Sequence, residues 1–158
     1  ATELVRPEYI DNNGHMNVGY YHVLFDIAAS PFFHWLGLTP EFRSRNGSST
    51  FALESHLNFL REVKLGDALR FEARLIDCDY KRIHYYLEMF HADDGYLAAT
   101  YESLSTHVDM TTRRTAPIPA ELKQRLEQVL AAHRTLPRPP HLGRAISAHP
   151  PKRQEPRA

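Results

Sequence analysis

The chain has 158 residues, and its 19 lysines and arginines balance its 19 aspartates and glutamates, so the formal net charge is zero. This length is that of one domain, and the charge balance argues against duplex nucleic acid or an anionic membrane as a partner. The single cysteine, Cys78, excludes an intrachain disulfide. Because no apolar run reaches the roughly 18 residues of a membrane span and no signal peptide is recognisable, we expect a cytoplasmic protein.

The N-terminal part of the chain predicts a short strand, a turn and a long helix. Residues 2–10 mix apolar and polar positions as a short strand does, and the Asp-Asn-Asn-Gly sequence at 11–14 is typical of a turn. Pro31 lies inside the helical pattern and predicts either one kinked helix or two segments stacked end to end, ending at Gly37. The apolar residues that recur at spacings of three and four are Val18, Tyr21, Phe25, Ala28, Phe32 and Trp35.

After a polar connection at residues 39–49, apolar and polar residues alternate with a period of two, as in β-strands. Further strands are expected at 69–75, 83–89 and 96–110, and a second amphipathic helix at 119–133. The order of elements predicts an α+β domain, in which a largely antiparallel sheet buries the stripe of the long helix. In the first strand after the helix, Phe51, Leu53, Leu57 and Phe59 alternate with Ala52, Glu54, His56 and Asn58.

A change of composition divides the chain. Residues 1–135 are expected to form the domain, whereas residues 136–158 are rich in proline and basic residues. The second segment has too few apolar residues to build a core, so we predict an extended tail.

The segment from Asp11 to Asn17 carries the most chemical information. It lies between a strand and the start of the long helix, where unpaired N–H groups and a partial positive charge favour a carboxylate or a developing oxyanion. Turns rich in aspartate and asparagine also cap helices without any catalytic role. Composition alone therefore leaves both a catalytic and a structural interpretation open.

The pattern Asp-x-Asn-x-His-x-Asn in this segment resembles the active-site segment of hotdog thioesterases. Asp11 matches the catalytic aspartate of the 4-hydroxybenzoyl-CoA thioesterase family, and Asn13 and His15 match the Asn-x-His pair of acyl-acyl-carrier-protein thioesterases. The Leu-Glu pair that ends at Glu54 is similar to a segment of the second group in which a glutamate joins the site. The resemblance covers about residues 4–133.

A more specific resemblance is to betainyl-CoA thioesterases, at residues 51–66 and 79–84. It implies hydrolysis of a small acyl-CoA to the free acid and CoA, with betainyl-CoA of carnitine degradation as the specific candidate. Two alternatives stay open: a hotdog acyl-CoA hydratase or dehydratase, and a non-catalytic acyl-CoA binding module. Fold alone does not decide between them.

The resemblance also implies an architecture and a mechanism. A curved antiparallel sheet would wrap around one long helix, and a homodimer or dimer of dimers would place each site between two subunits, with Glu54 completing the partner's site. Asp11 would attack the thioester carbonyl or activate water, and both routes stay open. Asn13 would orient the water or the carboxylate, and His15 would stabilise charge or assist proton transfer. Backbone N–H groups at the helix start, those of His15, Met16 and Asn17, would bind the oxyanion.

The remaining predicted residues concern the substrate. Coenzyme A needs cations for its phosphates, and the candidates are Arg61, Lys64, Lys81, Arg82, Arg113 and Arg114. The acyl pocket is expected to involve Tyr20, Tyr21, Phe25 and Trp35, of which Tyr20 and Trp35 are candidates to hold a trimethylammonium group by cation–π attraction. We expect no metal, because none of the 10 histidines has a metal-binding spacing. No cofactor is expected other than the CoA of the substrate.

Overall fold

The computed structural model describes residues 1–148, so residues 149–158, the last part of the predicted tail, lie outside the described residues. One antiparallel sheet has the strand order β1-β3-β4-β5-β2, and β6 pairs with β5. Helix α1 packs across one face of it, which confirms the predicted α+β class. The strands are β1 (Thr2–Leu4), β2 (Ser48–Phe59), β3 (Ala68–Cys78), β4 (Arg82–His91), β5 (Leu97–Asp109) and β6 (Arg114–Thr115). The helices are α1 (Val18–Leu36), α2 (Pro40–Asn46) and α3 (Ala120–His133), with a 3-10 turn at Pro7–Tyr9.

Helix α1 is bounded by two capping residues. The Asn17 side chain accepts a hydrogen bond from the Gly19 N–H, and Gly37 ends the helix with a left-handed φ of 109°. The helix is continuous through Pro31, so of the two predicted arrangements the structure has one helix rather than two stacked segments. Proline removes one backbone donor there, while its neighbours Ala28 and Phe32 stay buried and keep the helix on the sheet.

The core lies between α1 and the face of the sheet that we call the inner face. Phe25 is fully buried and stacks on Tyr101 at 5.3 Å between ring centroids. Residues of β4 alternate into this layer at Ile83, Tyr85 and Leu87. The opposite side of the sheet, the outer face, carries the intervening residues, because successive side chains of a strand point to opposite faces.

Strand β2 contains a bulge that changes the predicted alternation. The register with β5 shifts between Ala52 and Glu54, so Leu53 is the extra residue. Phe51 therefore shares the outer face with Glu54, whereas Leu57 pairs with Tyr101 on the inner face. The prediction of one uninterrupted apolar face on this strand was wrong, because a bulge reverses the alternation.

Two connecting regions also differ from the sequence-based expectation. The polar connection contains α2, which begins after the Thr39 cap and ends before Gly47 in a left-handed conformation. Residues 136–148, which we call the strap, lie against the outer face, where the Gly143 N–H donates to Glu102 Oε2 at 2.6 Å and the Pro137 carbonyl accepts from Arg74. Within the described residues, no helix is long and apolar enough to cross a membrane.

Candidate active site

The loop that carries Asp11 is closed by backbone hydrogen bonds. Ile10 and Met16 form an antiparallel bridge across its base. Inside it, the Asp11 N–H donates to the His15 carbonyl at 2.9 Å, and the Gly14 N–H donates to the Asp11 carbonyl at 3.0 Å. Gly14 has a φ of +79°, which most side chains disfavour. The turn predicted from the Asp-Asn-Asn-Gly sequence is thus a compact loop directly before α1.

The Asp11 carboxylate is partly buried and is oriented by its own loop. Its Oδ1 accepts a hydrogen bond from the Asn13 N–H at 2.8 Å. Within residues 1–148, no protein group donates to Oδ2. One carboxylate oxygen is therefore fixed and the other is available for a substrate or a water molecule, which is the geometry that a base or a nucleophile needs. The Asn13 backbone, rather than its side chain, makes the orienting contact.

The backbone donors near the helix start differ from those we expected. The Met16 N–H donates to the Val63 carbonyl at 3.1 Å, and the Asn17 N–H donates to the Tyr9 carbonyl at 2.8 Å. These two groups hold the loop in place and are not free to bind an oxyanion. In the described part of the chain, the N–H groups of His15 and Val18 have no protein acceptor. The Val18 N–H belongs to the first turn of α1, where such groups are normally unpaired.

His15 is held by Glu62, a residue that no sequence motif indicated. His15 Nε2 lies 2.8 Å from Glu62 Oε2, and Lys64 Nζ lies 3.1 Å from the other oxygen, Oε1. The Lys64 hydrogen bond, together with the charges of His15 and Lys64, lowers the pKa of Glu62. Glu62 is consequently ionised near neutral pH and can fix the ring of His15. Glu62 lies in the segment 51–66, just after the end of β2. A single glutamate after a strand has no spacing that would identify it as a site residue.

The turn between β2 and β3 is held rigidly beside this loop. The Tyr96 hydroxyl donates to the Glu62 carbonyl at 2.9 Å, and the Arg61 guanidinium lies 3.8 Å from the centroid of the Tyr96 ring. Asp67 Oδ2 accepts from the Lys64 N–H at 2.8 Å. Two of the predicted CoA-binding cations, Arg61 and Lys64, therefore lie at the same end of the sheet as Asp11.

The other predicted cations lie at the opposite end of the sheet. Arg82 is paired with Asp79 at 2.7 Å, next to Lys81 in the β3–β4 turn. Arg113 stacks on Phe51, close to the start of β2, and Arg114 follows it in β6. The distance along β2 from Phe51 to Phe59 is about 26 Å at 3.3 Å per residue. A single chain does not bring all the predicted cations together.

The predicted aromatic residues also separate into groups. Tyr20 packs against Tyr9 with tilted rings, 4.6 Å between centroids, and is partly exposed. Tyr21 is buried and contacts Phe59 edge to face at 5.1 Å. Both lie in the first turn of α1, near the Asp11 loop. The buried Phe25 belongs to the core.

Trp35 lies at the far end of α1, about 26 Å from Val18 at 1.5 Å per residue. It stacks on His133 at 6.0 Å and lines a separate cavity of about 430 Å³ with Phe32 and Phe71. Trp35 is therefore remote from Asp11, and its prediction as part of the acyl pocket is not supported by this geometry.

Glu54 is not near Asp11 in the same chain. It is exposed on the outer face, five strand positions before the end of β2, and lines a cavity with His56 and Glu102. Its predicted role in the site of a partner subunit stays a prediction. Among residues 1–148, no cluster of three or more histidine, cysteine, aspartate or glutamate side chains could hold a metal ion.

Sequence comparison relates this chain to proteins of known families. Residues 5–126 match the family model of the thioesterase-like superfamily. The chain is 36% identical over 146 residues to the betainyl-CoA thioesterase of Pseudomonas aeruginosa, with 92% of each chain covered. It is 32% identical to the L-carnitine dehydrogenase/betainyl-CoA thioesterase of Rhizobium meliloti, of whose length it spans 28%.

Solved structures show the same architecture. A Staphylococcus aureus protein in complex with CoA superposes with a TM-score of 0.85 and 31% identity, covering 93% of this chain and 92% of that one. A Pseudomonas putida protein described as a candidate thioesterase has a TM-score of 0.78 and 27% identity, with 93% and 94% covered. These matches confirm the predicted hotdog fold.

Proposed function

The chain belongs to the thioesterase-like superfamily and is a thioester hydrolase, and on that basis we propose that it cleaves a small acyl-CoA, betainyl-CoA in particular, with Asp11 as the catalytic carboxylate. The observation that carries this proposal is the Asp11 carboxylate, which has one oxygen fixed by the Asn13 N–H and the other free. The similarity to a curated betainyl-CoA thioesterase and to a structure solved with CoA supports this choice of substrate.

The proposed chemistry uses groups that are close together at the start of α1. The thioester oxygen accepts hydrogen bonds from the unpaired N–H groups of Val18 and His15, which stabilise the charge that develops on it. Asp11 either attacks the carbonyl carbon, giving a mixed anhydride that water then hydrolyses, or removes a proton from an attacking water. In both routes the CoA thiolate leaves and the free acid forms.

In this proposal, Glu62 is the carboxylate that supports His15, a role that we had not predicted for any residue. Its contact with His15 Nε2 is 2.8 Å long and lies within one chain. Glu62 holds the imidazole in one orientation, from which His15 can assist proton transfer to or from the reacting groups.

We also propose that the active form is a homodimer joined along β2. This strand lies at one end of the sheet order, so within residues 1–148 the backbone groups along its free edge pair with no other strand. Leu53 and Phe59 on β2 are 55% and 51% exposed, and Val23 and Ile27 on α1 are each 45% exposed. Side chains of this kind favour contact with a second copy.

Antiparallel pairing of two β2 strands would also complete the predicted CoA site. Such pairing places the beginning of one strand beside the end of the other. Arg113, near the beginning of β2, would then approach Arg61, at the end of β2 in the other protomer. The cations that one chain keeps apart would meet at each of two equivalent sites.

The experiment that tests the proposed function measures thiol release from a panel of acyl-CoA thioesters. We expect kcat/KM for betainyl-CoA to exceed that for its neutral isostere, 3,3-dimethylbutyryl-CoA, by about tenfold, which corresponds to about 1.4 kcal/mol of cation–π attraction. Equal values would contradict the betainyl assignment. Loss of enoyl absorbance from crotonyl-CoA without thiol release would instead identify a hydratase, and binding without either reaction would identify a binding module.

A further inference from the structure

A polar cavity lies between the outer face of the sheet and the strap. Its volume is about 350 Å³. Strap residues 143–145 form one wall, and strands β2, β4 and β5 form the others. The ionisable side chains that line it are Glu54, His56, His84, Glu102 and Arg144. Within one chain, this cavity is separate from the Asp11 loop, which lies at the end of β2 beside Val63.

The Glu102 carboxylate already has a hydrogen-bond partner on each of its oxygens. Glu102 Oε1 lies 2.8 Å from His84 Nε2, and Glu102 Oε2 accepts from the Gly143 N–H at 2.6 Å. The Glu102 side chain is 17% exposed and the His84 side chain 28%. This pair therefore anchors the strap to the sheet and contributes no free charge to the cavity.

Two oppositely charged groups of the same cavity have no such partners. Within residues 1–148, the side chains of Glu54 and Arg144 make no hydrogen bond or ion pair, and neither does that of His56. Glu54 lies on β2 and Arg144 on the strap, so a carboxylate and a guanidinium line different walls of one cavity. Glu54 is exposed and Arg144 partly buried, and each can pair with a group of the opposite charge.

We infer that this cavity binds a small zwitterion, a molecule that carries both a carboxylate and an ammonium group. The carboxylate would pair with Arg144, for which guanidinium provides parallel donors, and the ammonium group would pair with Glu54. A simple anion would meet the negative charge of Glu54, and a simple cation would leave Arg144 unpaired. A zwitterion can pair with Glu54 and Arg144 at the same time.

The inferred site is compatible with pairing along β2. Strands pair through main-chain groups at their edge, whereas the side chains of Glu54 and His56 stand on the outer face of the sheet. The inference does not depend on the proposed substrate. The betaine that the proposed reaction would release has the same two charges, however, so glycine betaine is a suitable probe.

The first test compares three probes that differ in charge. Titration calorimetry on the full chain would measure binding of glycine betaine, of choline, which lacks the carboxylate, and of 3,3-dimethylbutyrate, which lacks the positive charge. We expect glycine betaine to bind at least about tenfold more tightly than either, since choline lacks the charge-assisted hydrogen bond to Arg144 and 3,3-dimethylbutyrate lacks the ion pair with Glu54. Equal binding of a single-charge probe, or no binding of glycine betaine, would overturn the inference.

The second test locates the bound probe. The Arg144→Ala variant should bind glycine betaine at least about tenfold more weakly and release thiol at the wild-type rate, because Arg144 is remote from Asp11. The Asp11→Asn variant should bind the probe as the wild type does. The reverse pattern would place the probe in the active site and overturn the second site. Because the binding measurements use no acyl-CoA, failure of the proposed function would leave their outcome unaffected.

Discussion

At the scale of single residues, the proposed site depends on the positions of both Asp11 and Glu62. Asp11 is fixed by local geometry, because its own loop supplies the Asn13 N–H. His15 instead depends on Glu62, which is far away in the sequence and is brought near by the turn after β2. The two halves of the proposed site therefore have different origins, one local and one dependent on the fold.

The Glu62→Gln variant tests this dependence. Glutamine keeps the size of the side chain but removes the charge that holds His15. We expect kcat to fall about 10- to 100-fold, the loss that follows a displacement of roughly 1 Å in a catalytic group, with little change in KM. Steady-state thiol release would measure it, and Glu8→Gln, an exposed glutamate of the 3-10 turn, is the matched control. Wild-type turnover in Glu62→Gln would remove Glu62 from the mechanism.

The difference between these residues explains what could be predicted of the site. Asp11, Asn13 and His15 are close in sequence and form a recognisable pattern. The roles of Glu62 and of the Val18 N–H depend on tertiary contacts. The N–H groups of Met16 and Asn17 donate to the carbonyls of Val63 and Tyr9, so they are not available to a substrate. A sequence pattern locates the loop, but hydrogen bonding in the folded chain decides which of its groups are available.

At the scale of elements, α3 is attached to the sheet through a histidine. His133 Nδ1 accepts from the Leu75 N–H at 3.0 Å, next to the bulge in β3 between Leu75 and Asp77. Burial and the nearby charge of Arg74 lower the pKa of His133. The neutral imidazole is thus the form that fits, since a protonated Nδ1 could not accept this bond.

The lowered pKa gives a testable dependence of stability on pH. Because the folded state binds the proton less readily than the unfolded state, the stabilisation is fully present above about pH 6.5 and is lost as pH falls through the folded-state value. Denaturant unfolding at pH 7.5 and 5.5 should show a smaller loss of stability in His133→Ala than in the wild type. The exposed His34→Ala is the control that should retain the wild-type loss. Equal losses in wild type and His133→Ala would contradict the assignment.

Some helices and strands could be predicted from the sequence and others could not. Periodicity predicted α1 and strands β2 to β5, and it located α3, because long amphipathic segments have a strong signal. It missed the seven-residue α2, which depends on the Thr39 cap, and it missed the bulge at Leu53. Short helices and bulges are decided by a few contacts rather than by a repeated pattern.

At the scale of the whole molecule, the two edges of the sheet are unequal. Strand β1 has three residues, whereas β2 has 12 and ends beside the proposed site. A long edge strand with exposed apolar side chains is unfavourable in an isolated chain. The proposed dimer covers this edge and joins the cations that lie at opposite ends of β2.

A pair of edge variants tests the proposed dimer. Leu53→Lys on β2 places a charge in the interface and should convert the dimer to a monomer, with loss of most thiol release. Leu4→Lys changes a residue of similar exposure on the other edge, 58% against 55%, and should leave the dimer and its activity intact. Sedimentation velocity would measure the mass. A monomeric wild type, or a dimer in Leu53→Lys with normal activity, would contradict pairing along β2.

The most direct test of the account is thiol release from betainyl-CoA by the Asp11→Asn variant, with Asp93→Asn, in the exposed β4–β5 turn, as the control. Asparagine keeps the shape of the side chain and an oxygen for the Asn13 N–H, but it can serve neither as a base nor as an effective nucleophile. We predict that kcat falls at least about 10²- to 10⁴-fold while the thermal unfolding midpoint and the native mass stay those of the wild type. Turnover within a few-fold of the wild type in Asp11→Asn would contradict the central role of this carboxylate.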